Sequence, residues 1–114
     1  PYGLVLAWHR EGGFAGFCDD LAVYLTGEVY ASSCKGRQAQ DVGQRRLTPE
    51  ELRQVFTWAD ALRTFEIDHT DKATADAMTT QLYFGGAGTR EATEAEKQEI
   101  LNLAAKLYTE LSAR

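Results

Sequence analysis

Residues 18–34 read CDDLAVYLTGEVYASSC, and the fold turns on how this stretch pairs with itself. Leu21, Val23 and Leu25 alternate with Asp20, Ala22 and Tyr24; beyond Thr26-Gly27, Val29, Ala31 and Ser33 alternate with Tyr30 and Ser32. Period-two alternation on both sides of a glycine predicts a β-hairpin with one face buried. A three-residue turn, Leu25-Thr26-Gly27, with Gly27 in the left-handed region, pairs Tyr24 with Glu28. Counted outward in that register, Cys18 faces Cys34. Facing residues of antiparallel strands have Cα atoms about 4.5–5.5 Å apart, inside the range a disulfide spans. A two-residue turn would shift the register by one and weaken the match. In an exported protein the pair reads as a disulfide, in a cytosolic one as two buried thiols. We expect the bridge, closing a loop of about 15 residues and contributing ~3 kcal/mol.

Upstream, residues 9–18 read HREGGFAGFC and connect the hairpin to a strand over Gly3–His9. In that strand Leu4, Leu6 and Trp8 share one face, and Val5, Ala7 and His9 the other. Gly12 and Gly13 can take positive φ without steric cost, so the chain can turn sharply there. Two large apolar rings among small residues in a connection call for a pocket or a partner to receive them. Gly12, Gly13, Phe14, Ala15, Gly16 and Phe17 are therefore the candidate partner-contact residues. Of the two rings, Phe17 is expected to fold beneath the sheet beside the cysteine, leaving Phe14 to face a partner.

Downstream, Lys35–Arg46 is polar and without a clear period, and reads as a loop with room for a short extended piece, its cations as a solvated face. Thr48 as N-cap, Pro49 at the first helical position and Glu51 closing a capping box announce a helix to about Arg63. Leu47 and Leu52 are placed as its hydrophobic staple. Leu52, Val55, Phe56, Ala59 and Leu62 form its stripe, with Trp58 off the stripe and partly exposed. Phe65–Asp68 suggests a short strand, Asp68–Ala75 a turn, and Ala77–Phe84 a strand ended by Gly85, Gly86 and Gly88. A second capping box, Thr93 with Glu96, opens a helix carrying Ile100, Leu103, Ala104, Leu107 and Leu111 on one face. The expected fold is α+β, a mainly antiparallel sheet of about four strands with two amphipathic helices packed on it, in a single domain over 1–114.

Composition narrows the function. The chain has 114 residues and a net charge of -5, from 17 acidic against 12 basic side chains. That balance argues against nucleic acid, which is bound by displacing counterions with Lys and Arg. The longest apolar run, Leu4–Trp8, is too short to cross a membrane. Because the chain opens on Pro1, a mature or trimmed form is expected, with any signal or lipid-attachment segment upstream. His9 reads as a structural or surface histidine. The segment around His69 and Asp71, with Asp76 further on, lacks the spacing and glycine of a calcium loop. Ser32-Ser33 lies inside a strand rather than a nucleophile elbow, and the glycines do not form a dinucleotide fingerprint. Asp19 and Asp20 point to opposite faces of a strand and cannot converge on one bond. We expect no catalytic residues, no metal and no cofactor.

Arg10-Glu11-Gly12-Gly13-Phe14-Ala15-Gly16 resembles the R-S-G-G-F-A-G stretch of emfourin, the small bacterial inhibitor of thermolysin-like metalloproteases. The likeness extends loosely to similar length, an early strand, a hairpin, and a helix opening with L-T-x-E-E/Q-L, here Leu47–Leu52. The chain also looks like a group of exported bacterial lipoproteins of unknown role that share this core. The first resemblance implies a reversible protein inhibitor of a thermolysin-like zinc protease. Such proteases favour a bulky apolar residue just after the scissile bond, a place Phe14 would take. The second implies an interaction domain of a cell-envelope lipoprotein without a protease target, and the cysteine pair fits that branch.

Overall fold

The computed structural model describes residues 3–13, 16–35, 38–71 and 77–113. Its strands are β1 (Leu4–Gly12), β2 (Phe17–Tyr24), β3 (Glu28–Ser33), β4 (Gln40–Arg46), β5 (Arg63–Asp71) and β6 (Met78–Ala87). The helices are α1 (Pro49–Ala61), between β4 and β5, and α2 (Glu94–Ser112), after β6. All six strands join one antiparallel sheet in the order β4-β3-β2-β1-β6-β5. The α+β class holds, but the sheet has six strands rather than about four.

The hairpin register is the one the turn dictates. Gly27 is left-handed at φ 95°, and Val23 faces Val29, Leu21 faces Ala31 and Asp19 faces Ser33. The Cys34 amide donates to the Cys18 carbonyl at 2.8 Å, and the two cysteines form a disulfide with Cα atoms 4.9 Å apart.

One face of the sheet is apolar. Leu6, Trp8, Leu21, Val23, Leu82 and Phe84 are buried together with Val55, Trp58 and Leu62 around α1 and Ile100, Ala104 and Leu107 of α2. A bulge between Leu4 and Leu6 turns Val5 inward as well, which corrects its placement on the opposite face. Both capping boxes form: the Thr48 hydroxyl accepts from the Glu51 amide, and the Thr93 hydroxyl accepts from the Glu96 amide. The buried stripe of α1 is rotated from the expected one, so that Trp58 is buried and Phe56 exposed.

The edges of the sheet are β4 and β5, the latter a longer form of the short strand expected at Phe65–Asp68. β4 occupies part of the stretch read as a loop with room for a short extended piece, and at seven residues it is a full strand; its polar sequence suits a strand with one neighbour. What fixes it lies elsewhere in the chain. The Arg45 guanidinium donates to both Glu51 oxygens, at 2.9 and 3.0 Å, and to Glu110 at 2.9 Å, tying β4 to both helices. β5 runs through His69, Thr70 and Asp71, residues that had read as a turn. β6 continues through Gly85 and Gly86 to Ala87 instead of stopping at the glycines. At Gly86 a Cβ would collide with the Leu62 backbone, so glycine there serves close packing rather than strand termination.

Candidate functional site

The glycine-rich connection is the turn between β1 and β2, strands flanked by hydrogen-bonded neighbours on both sides. Gly12, Gly13 and Gly16 have φ of 107°, 78° and 66°, values that side-chain-bearing residues rarely adopt. At Gly12 the requirement is also steric, since a Cβ would run into the Ala77 carbonyl. The Gly13 amide donates to that carbonyl at 3.2 Å, and the Gly16 amide donates to the Gly13 carbonyl at 3.1 Å. Phe14 and Ala15 lie outside the described residues.

Phe17 does not fold beneath the sheet; it is 38% exposed at the base of the turn. The reason is Arg10, whose guanidinium lies 4.9 Å from the Phe17 ring centre and 5.2 Å from that of Trp8. Asp19 holds Arg10 in place, accepting from Nε at 3.1 Å and from Nη2 at 2.7 Å. Asp19 is itself buried. Burial, with a hydrogen bond to Asp19 beside it, pushes the Tyr108 phenol up to about 12. Phe17 thus rests on an ordered cation rather than in the core. Sequence reading missed this pairing, although the facing positions of Arg10 and Asp19 would have revealed it once β1 and β2 were joined.

On the other face the disulfide sits beside a second polar group. His9 Nδ1 is 2.7 Å from Asp20 Oδ1, and Nε2 is 3.2 Å from Glu11 Oε1. Partial burial acts to lower the His9 pKa, but the hydrogen bonds to the two carboxylates outweigh it, and the pKa lies above the usual histidine value. Asp19 and Asp20 serve opposite faces, as alternation requires. Further along, Ala7 and Ala22 floor a shallow depression of about 560 Å³, bordered by Tyr30, Tyr83, Asp20 and Asp68. His69 lies apart, exposed on β5 opposite Thr80; Asp76 is outside the described residues. No helix is long and apolar enough to cross a membrane among the described residues.

No family model, curated protein or solved structure matches the chain.

Proposed function

We propose that this is a non-enzymatic, exported binding domain that reversibly inhibits a thermolysin-like zinc metalloprotease through Gly12–Phe17. The observation that carries the reading is an exposed Phe17 at a glycine turn held between the two central strands, with a disulfide at its base. A segment that enters a protease cleft must lose little entropy on binding. The hydrogen bonds of Gly13 and Gly16 and the Cys18–Cys34 bridge supply that preorganisation. Glycine backbone lies close to the cleft wall, and a ring fills the apolar subsite beyond the scissile bond. The disulfide favours an oxidising compartment.

The alternative reading, an interaction domain of a cell-envelope lipoprotein, is favoured by the depression on the helix-free face. Titration of a thermolysin-type protease, with a serine protease as control, decides between them. Saturable inhibition that Phe17→Ala and Phe14→Ala weaken supports the first reading. Unchanged activity refutes it for that target.

A further inference from the structure

The neighbourhood of the disulfide holds more donor atoms than a structural bridge uses. Cys18 of β2 meets Cys34, the residue just past β3, while His9 and Asp20 face one another across β1 and β2. A ring nitrogen of His9, a carboxylate oxygen of Asp20 and the Cys34 sulfur all lie within 4.8 Å of one another. The Cys18 sulfur, bonded to that of Cys34, lies one bond beyond this group. Two sulfurs, an imidazole and a carboxylate are a donor set suited to tetrahedral Zn²⁺.

The orientation of His9 provides an independent indication. Nδ1 meets Asp20 Oδ1 at 2.7 Å, while Nε2 meets Glu11 Oε1 at 3.2 Å. Metal-bound histidines usually donate their second ring N–H to a carboxylate, which fixes the tautomer and the ring. Glu11 already stands in that position. These donors come from β1, β2 and the residue that follows β3, so no linear spacing motif announces them.

We infer that reduction of the Cys18–Cys34 disulfide opens a Zn²⁺ site formed by Cys18, Cys34, His9 and Asp20, with Glu11 orienting the imidazole. The reductant is a dithiol. Its two thiols become a disulfide as the Sγ–Sγ bond accepts two electrons and two protons, leaving two protein thiols. Zn²⁺ then displaces both thiol protons to solvent and takes the sulfurs as thiolates. At Zn–S distances of ~2.3 Å, tetrahedral ligands place the sulfurs about 3.8 Å apart. Side-chain rotation of cysteines whose Cα atoms are 4.9 Å apart accommodates that separation. The root of the glycine turn thus has two alternative cross-links, a disulfide in an oxidising setting and a metal in a reducing one. This site is independent of protease inhibition.

The test uses the full chain, folded in its oxidised form and then reduced with a phosphine, which does not supply competing thiols. Co²⁺ is the spectroscopic probe and Zn²⁺ the competitor. Reduced protein is expected to bind one Co²⁺ with thiolate charge-transfer absorption and intense tetrahedral visible bands, and to release it to Zn²⁺. Oxidised protein should show neither band. His9→Gln and Asp20→Asn, each first shown by circular dichroism to fold when oxidised, should weaken binding about tenfold or more, and Glu11→Gln severalfold. Absence of a one-to-one thiolate-bound Co²⁺ complex in reduced protein overturns the inference. So does wild-type affinity in both His9→Gln and Asp20→Asn, which would mean that the thiols bind alone.

Discussion

Glu51 links the start of α1 to the edge of the sheet, and protonating it should loosen both. Its carboxylate accepts from Arg45, from the Thr48 amide at 2.8 Å and from Lys106 at 3.1 Å. The Arg45 hydrogen bond, reinforced by Thr48 and Lys106, outweighs burial and lowers its pKa from 4.5 to about 2. A folded-state pKa below the unfolded one means that the stabilisation is fully present above about pH 4.5 and is lost as pH falls towards 2. At ~1.4 kcal/mol per pH unit the upper limit is ~3 kcal/mol. Glu51 and Arg45 side chains are only 11% and 16% exposed, but Lys106 and Glu110 are about half in water. Solvent screening reduces the expected value to about 1–2 kcal/mol. Urea unfolding of wild type and Glu51→Gln at pH 6 and pH 2.5 measures it. Glutamine keeps the cap but cannot titrate, and the other carboxylates are common to both proteins. Wild type should lose about 1–2 kcal/mol more than the variant between the two pH values. Equal losses would refute the assignment of that stability to the Arg45–Glu51 pair.

Three further outcomes are expected. Reducing the disulfide in the presence of EDTA should lower Tm by about 10 °C, since cross-linking residues 16 apart removes ~3 kcal/mol of unfolded-chain entropy; thermal melts of reduced and oxidised protein check this, and an unchanged Tm would deny the bridge its stabilising role. Gly12→Ala should cost more than ~1 kcal/mol because φ is 107° and the added methyl would meet the Ala77 carbonyl; denaturant unfolding would show no loss if the turn relaxed freely. Phe17→Ala should cost no more than about 1 kcal/mol, as befits an exposed ring resting on Arg10, and a loss of 3 kcal/mol or more would place the ring in the core after all.

The features legible in the sequence are those whose causes are local. The Leu25–Gly27 turn sets the register that brings Cys18 to Cys34, and two Thr-x-x-Glu boxes set the helix starts. The extent of edge strand β4 was hidden because its stabilising partners are remote: Arg45 meets Glu110 65 residues away. Val5 was misplaced because a bulge breaks alternation without a local sequence mark. Trp58 and Phe56 exchanged places because the sheet selects which side of α1 is covered. Within the candidate site, Gly12, Gly13 and Gly16 announced a turn through their conformational freedom. The outward position of Phe17 depends on Arg10 and Asp19, which meet only when β1 and β2 pair. The grouping of His9, Asp20 and Cys34 likewise needs three strands in register.

The proposal stands or falls on the Gly12–Phe17 turn. The most direct test titrates a thermolysin-type protease with intact protein and follows both residual activity and the integrity of the added chain. The account predicts saturable, stoichiometric loss of activity with the chain uncut, and no effect on a serine protease. Undiminished activity, or rapid cleavage within residues 12–17, would contradict it.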